Sequence, residues 1–243
     1  MKQLRLDKLL SNMGVGSRTF VKDVIKKGQV SVNDKVCLNP QEKVKPGEDR
    51  IFFCGKEISY REFIYVMLNK PQGIVSSTDD PRDSVVVELL DDDLRQFRPF
   101  PVGRLDKDTE GLLLLTNDGE LAHKLLSPKN EVDKEYFAIV EGELKKEHVE
   151  IFEKGIKLED GYTTKPAKLE IIVSGNHSKA NITIVEGKYH QIKRMFASQG
   201  FRVIYLKRFR MGKLNLSETL GPGEYRELTE YEVELLKNYQ GVI

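Results

Sequence analysis

The segment Gly103-Arg104-Leu105-Asp106-Lys107-Asp108-Thr109-Glu110-Gly111 runs without interruption into Leu112-Leu113-Leu114-Leu115-Thr116, and it constrains this chain more than any other stretch. Four consecutive leucines bounded by polar residues and glycine read as a buried strand, and such a strand holds the loop before it rigid. That loop carries one carboxylate, Asp106, between Arg104 and the apolar run. A cation two residues away keeps a carboxylate ionised, and nearby glycines let a substrate approach the backbone. Those are the requirements of a reactive aspartate.

Two plainer readings compete. An Asp beside glycine-bearing loops is ordinarily a turn residue or a helix N-cap. The other is a calcium loop, since Asp106, Asp108, Glu110 and Gly111 fall at the first, third, fifth and sixth places of an EF-hand pattern. That pattern fails at its twelfth place, which is Asn117 where a bidentate Glu is required. The residues after Gly111 are also apolar where oxygens are needed.

The chain has 243 residues, 39% of them apolar, enough for a full core and for more than one domain. No run approaches the roughly 18 apolar residues of a membrane span, and the basic N-terminus lacks a signal-peptide apolar region. A cytoplasmic protein is expected. Cys37 and Cys54 are isolated, which suits a reducing compartment, and the four histidines are scattered, so no metal site is expected.

The net charge of +1 conceals an asymmetry. Residues 1–60 hold 12 Lys and Arg against 7 Asp and Glu, so the N-terminal part is the expected polyanion-binding end. A second basic concentration lies between Glu186 and Lys213. Either cluster alone reads equally well as solvated surface; two clusters around a reactive aspartate favour nucleic acid.

Residues 1–60 read as a small module. Leu6, Leu9, Leu10 and Met13 have helical spacing, the chain turns at Gly14-Val15-Gly16, and Ser17 caps a second helix carrying Phe20, Val21, Val24 and Ile25. Short strands follow at residues 30–32 and 35–38 about an Asn33-Asp34 turn, with a last strand near residues 50–53. Residues 55–61 are a polar linker. The rest, 62–243, is expected to be a catalytic domain: a strand at 64–68 entering the turn Asn69-Lys70-Pro71-Gln72-Gly73, strands at 135–141, 165–173 and 180–186, and helices at 120–126, 145–154 and after Thr229. Strands mixed with single helices point to an α+β fold.

Two further segments stand out. Lys134-Glu135-Tyr136 opens a strand, and the plain reading of its tyrosine is a partly buried core residue. In Glu186-Gly187-Lys188-Tyr189-His190-Gln191-Ile192-Lys193-Arg194-Met195-Phe196, Ile192, Met195 and Phe196 share a helical face while His190 and Arg194 point away. The plain reading there is an amphipathic helix.

Taken in order, Gly-Arg-Leu-Asp with its Thr-Glu-Gly-Leu-Leu-Leu-Leu-Thr-Asn-Asp-Gly extension, the Lys-x-Tyr strand and Tyr-His-Gln-Ile-Lys-Arg-Met closely resemble the three motifs of the RsuA family of rRNA pseudouridine synthases. The Asn69–Gly73 turn resembles that family's first motif, and residues 1–60 resemble an S4 RNA-binding domain. The resemblance implies an S4-like domain followed by a catalytic domain with a mixed, largely antiparallel sheet. It implies that a uridine is isomerised to pseudouridine in 16S rRNA, within a small-subunit assembly particle, with no cofactor, no metal and no obligate protein partner. It makes Asp106 the catalytic residue and Tyr136 the ring that stacks on the target base. Arg104 and Lys193 would hold the carboxylate or a phosphate, with either Lys193 or Arg194 paired to Asp106. On the RNA-facing surface it places Arg5, Lys8, Ser17, Arg18, Lys22 and Lys26, and it adds Lys188, His190, Gln191 and Arg194 to the RNA-binding residues. A large-subunit (23S) target is the nearest rival. A non-catalytic S4 RNA-binding factor would need only the basic helices, and a phosphodiester-cleaving enzyme would need a carboxylate cluster or a His pair that the chain does not display.

Overall fold

The computed structural model describes residues 3–239. One compact unit takes in the chain up to Ile64 together with Asp91–Pro99; the second takes Tyr65–Leu90 and the chain from Phe100 onward.

In the first unit, β1 (Leu4–Arg5) leads into α1 (Leu6–Asn12), and α2 (Arg18–Lys26) follows the glycine-bearing turn. The Ser17 hydroxyl accepts a hydrogen bond from the Phe20 amide at 3.3 Å, closing the first turn of α2. Leu6, Leu9 and Leu10 of α1 pack on Val21, Val24 and Ile25 of α2, all at 4% exposure or less. Phe20, expected on that apolar face, is 48% exposed and lies over Gly16 instead. β2 (Val30–Val32), β3 (Lys35–Val36), β5 (Ile51–Phe53) and β6 (Lys56–Glu57) form a sheet in the order β3-β2-β5-β6, while β4 (Lys43–Val44) pairs with β1. Asn33 and Asp34 both have positive φ, as the two central residues of a tight hairpin turn require. The stretch read as a polar linker contains β6, because Lys56 and Glu57 find partners in Phe53 and Phe52. Residues 91–99, including a short helix α3 (Asp92–Arg95), also belong to this unit.

The second unit is built on a nine-stranded mixed sheet. Its strands are β7 (Tyr65–Lys70), β8 (Phe100–Pro101), β9 (Glu110–Thr116), β10 (Lys134–Glu141), β11 (Lys168–Val173), β12 (His177–Ile184), β13 (Arg202–Met211), β14 (Leu214–Asn215) and β15 (Tyr225–Glu227). The main path runs β11-β12-β10-β13-β9-β7-β15, with β8 on β9 and β14 on β13. Every pairing is antiparallel except β13 with β9, where Lys207 and Arg208 lie beside Glu110 and Gly111. The leucine run forms the centre of β9, with Leu112, Leu113, Leu114 and Leu115 all at 1% exposure or less. Leu112 and Leu114 pack with Leu121, Ala122 and Leu125 of α4 (Gly119–Leu126) and with Leu236 of α7 (Glu230–Lys237). At roughly 1.5–3 kcal/mol for each fully buried leucine, this strand anchors whatever precedes it. α5 (Lys146–Glu153) and α6 (Gln191–Ala197) complete the unit. The ten-residue strand β13 occupies a stretch that reads in sequence only as a basic concentration. Its charged side chains hid its position near the middle of the sheet.

Candidate active site

The site lies where the single parallel pairing joins the two antiparallel parts of the sheet. β9 enters that junction at Gly111, whose φ is +102°. A Cβ there would stand 2.1 Å from the Arg208 carbonyl oxygen, so only glycine lets β9 approach β13 this closely. The residues just before Gly111 form the Asp106 loop.

Three groups pin that loop before any substrate arrives. Lys70 closes β7 and is fully buried; its ammonium donates to the carbonyl oxygens of Pro71 (2.9 Å), Thr109 (3.0 Å), Asp106 (3.1 Å) and Lys107 (3.4 Å). Burial pulls its pKa down to about 8, against the opposing attraction of Asp108, Asp106 and Glu110. The buried Ser76 hydroxyl donates to the Leu105 carbonyl at 2.9 Å and accepts from the Leu105 amide at 3.1 Å. The Gly73 amide donates to the Lys107 carbonyl at 2.8 Å. The loop backbone is thus fixed from a strand and turn that lie well before it in the chain.

The Asp106 carboxylate is partly exposed, with 28% of its side chain accessible. Its Oδ2 is 3.0 Å from Lys193 Nζ on α6, and its Oδ1 is 3.6 Å from His190 Nε2. Lys193 also lies 2.5 Å from Asp108 Oδ1. Burial by itself lowers the Lys193 pKa, but hydrogen bonds to Asp108 and Asp106 outweigh it and hold the ammonium above the ordinary lysine range.

The sequence left Lys193 and Arg194 as rivals for that pairing, and helix phase separates them. Arg194 points to Asp160, 2.5 Å away, while Lys193 faces the carboxylate. Arg104, expected to supply the neighbouring cation, is exposed; the buried Leu105 between them sends Arg104 and Asp106 along separate paths, and Arg104 forms no ion pair with Asp106. The EF-hand-like acids are likewise accounted for individually, since Asp108 is held by Lys193 and Glu110 accepts from the Tyr205 hydroxyl at 2.7 Å.

A cleft of about 870 Å³ opens from Asp106, with Tyr136, Lys134, Ile184, Leu206 and Arg208 in its wall. Tyr136 on β10 is 7% exposed, and Lys134, two residues earlier on the same strand face, donates to the Val132 carbonyl at 2.6 Å. Burial, reinforced by Arg208, lowers the Lys134 pKa to about 8. Arg208 is 2% exposed; its Nε donates to the Leu112 carbonyl at 2.8 Å and its guanidinium lies 5.9 Å from the Tyr136 ring centre. Ser76 carries no signal in the sequence, and Lys70 and Arg208 show there only as members of the Asn69–Gly73 turn and of a basic concentration, not as groups that hold the loop. A lysine or arginine on a strand ordinarily reads as solvent-facing, and only tertiary packing turns these inward.

The remaining residues divide by location. Lys188, His190 and Gln191 all line the cleft, but Gln191 is 4% exposed and its side-chain amide is engaged, accepting from the Lys188 backbone amide and donating to Glu186. In the first unit Lys8, Arg18, Lys22 and Lys26 are exposed, the last three as an i, i+4, i+8 stripe along α2. Ser17 serves as the α2 cap, and Arg5 grips the buried Asp7 carboxylate through hydrogen bonds of 2.6 and 3.0 Å.

A two-helix module with a small sheet is thus followed by a mixed sheet whose parallel junction presents an aspartate, an α+β architecture. The chain belongs to the RNA pseudouridylate synthase family, whose model matches residues 64–198, and the S4 domain model matches residues 4–50. It is 51% identical, over 98% of its own length and 100% of the relative's, to an uncharacterized RNA pseudouridine synthase, YtzG, of Bacillus subtilis. It is 43% identical to ribosomal large subunit pseudouridine synthase B of the same organism, over 96% and 95% of the two chains. It is 39% identical to ribosomal small subunit pseudouridine synthase A of Escherichia coli K12, over 95% and 98%. A crystal structure of a pseudouridylate synthase matches with a TM-score of 0.68 and 37% identity, over 96% of this chain and 99% of the other. The protein is therefore an RNA pseudouridine synthase, and no helix among its described residues is long and apolar enough to cross a membrane.

Proposed function

We propose that this enzyme isomerises a uridine of small-subunit (16S) rRNA, with Asp106 as its catalytic carboxylate. The observation that carries the reading is the Asp106 carboxylate, ion-paired to Lys193 at 3.0 Å and opening onto a cleft whose wall holds Tyr136. A target base inside a duplex is out of reach of such a cleft, so the uridine must be turned out of its stack. Stacking on an aromatic ring, at roughly 1–3 kcal/mol, offsets part of that cost, and Tyr136 is the ring in place. Asp106, as nucleophile or as base, assists breakage of the N1–C1′ bond. The freed uracil rotates, C5 bonds to C1′, and the proton leaving C5 is balanced by one gained at N1, so the reaction is redox-neutral and needs no external group. Lys8 and the α2 stripe of Arg18, Lys22 and Lys26 supply phosphate contacts from an S4-like module spanning residues 1–60, and the cytoplasm is where the substrate is made.

The choice of small subunit rests on the Tyr189–Met195 motif. A large-subunit target has an observation in its favour, the 43% identity to the large-subunit enzyme of B. subtilis. Mapping pseudouridines in both rRNAs of a deletion strain decides: loss of a small-subunit site supports the proposal, and loss of a large-subunit site alone overturns it. Asp106→Asn, which keeps size and most turn hydrogen bonds, should abolish tritium release from C5-labelled uridine while leaving RNA binding intact. Near-normal release would remove Asp106 from the mechanism.

A further inference from the structure

Tyr189 is 77% exposed, more than any other large apolar side chain among the described residues. Its ring is nevertheless well placed: it lies 3.9 Å from the His190 ring at an interplanar angle of 17°, a stacked pair. No hydrogen bond engages its hydroxyl among the described residues, and Arg194 Nη1 holds its backbone carbonyl at 3.4 Å. Behind it, His190 Nε2 is 3.6 Å from Asp106 Oδ1. Both rings line the mouth of the cleft, next to the exposed Lys188.

An aromatic ring backed by a second ring, with its outer face in water and cations beside it, has the features of a stacking platform for a nucleobase. Such a base is available. When the target uridine leaves its stack, each neighbouring base is left with an uncovered face. Core packing does not explain so exposed a ring, and a capping role does not need an aromatic.

We propose that Tyr189 stacks on the base adjacent to the target uridine, so that base, Tyr189 and His190 form one column of three rings ending beside the Asp106 carboxylate. The site takes an unpaired nucleobase of single-stranded RNA. Stacking tolerates any base, and the larger face of a purine is covered more fully. The column joins recognition of the flanking nucleotide to the placement of His190 against Asp106. The inference rests on the reading that the Asp106 cleft receives the uridine.

The test uses the full chain and short single-stranded oligoribonucleotides with one uridine among adenosines, carrying fluorescent 2-aminopurine on the 5′ or the 3′ side of the uridine. Wild-type protein should quench one of the two probes. Tyr189→Ala should lose that quenching and bind roughly 5- to 150-fold more weakly, the span expected for one aromatic–base stack, while Tyr189→Phe keeps both properties. An abasic residue at the quenched position should weaken wild-type binding by a similar factor and have no further effect on Tyr189→Ala. Quenching at neither position, quenching retained by Tyr189→Ala, or additive effects of the two changes would each overturn the proposal. Tritium release from full-length rRNA separates it from the functional reading: a wild type that quenches but does not isomerise rRNA sinks that reading, and one that isomerises while Tyr189→Ala binds normally sinks the platform alone.

Discussion

Lys193 Nζ stands 3.0 Å from Asp106 Oδ2 and 2.5 Å from Asp108 Oδ1, so one ammonium answers two carboxylates. Lys193→Ala would remove the ammonium that faces both acids at the cleft. Turnover should fall about 100- to 1000-fold, the scale of losing one preorganised electrostatic partner, and Lys193→Arg should restore part of it. The pair is partly exposed, so the melting temperature should hardly move, with less than about 1 kcal/mol at stake. Tritium-release kinetics beside a thermal melt check both; unchanged kcat in the alanine variant contradicts the pairing's role.

Lys70 is the structural counterpart. Lys70→Met takes the side-chain donor from the carbonyls of Pro71 and Thr109 and leaves that of Asp106 with only the Thr109 amide. Stability should drop by about 2–4 kcal/mol, read from a denaturant or thermal melt.

The same lysine gives a pH signature. Burial lowers the Lys70 pKa from 10.5 to about 8. Between those values the unfolded chain holds a proton that the folded protein has released, so this residue's contribution to stability rises with pH across that window. Neutral Lys70 has fewer N–H donors for the loop carbonyls, so turnover should decline with an apparent pKa near 8 while the melt shows no matching loss. Activity that stays flat from about pH 7 to about pH 9.5 contradicts this.

Gly111→Ala tests the β9–β13 junction. The new Cβ would stand 2.1 Å from the Arg208 carbonyl in a backbone conformation, φ +102°, that suits only glycine. The strands must separate, at a cost of about 3 kcal/mol or more. Soluble protein with wild-type melting behaviour would show that the junction is looser than the geometry says.

Tyr136 has no hydrogen bond through its hydroxyl among the described residues, so Tyr136→Phe should keep most of the rate. Tyr136→Leu removes the ring and should cost roughly 1–3 kcal/mol of substrate stacking, seen as a lower kcat/KM. A leucine variant that turns over normally makes Tyr136 a packing residue.

Arg18, Lys22 and Lys26 line one exposed stripe of α2. Replacing all three by alanine should flatten the dependence of log binding constant on log salt by about 0.7 for each phosphate that is no longer neutralised. An unaltered slope means the stripe is only solvated.

Local chemistry and short-range pattern were legible without coordinates. The leucine run read as a buried strand because it is short and bounded by glycine and polar residues, and Ser17 and Thr229 announced helix starts because their hydroxyls satisfy first-turn amides. The α+β class followed from strands and helices that alternate irregularly, and the ordered motifs were enough to indicate the RNA pseudouridine synthase family. Asp106 and Tyr136 stood out as candidates for the same reason.

What the sequence did not disclose depended on contacts between residues far apart in the chain. That β13 pairs with β9 in parallel, that Gly111 admits it, and that Lys70 turns inward to hold four carbonyls all arise from packing rather than local preference. Arg104 beside Asp106 in sequence suggested the wrong cation, because adjacency along a loop does not set side-chain direction; the partner came from α6, where helix phase selected Lys193 over Arg194. A charged side chain reads as surface until the fold encloses it, and here the enclosed charges shape the site.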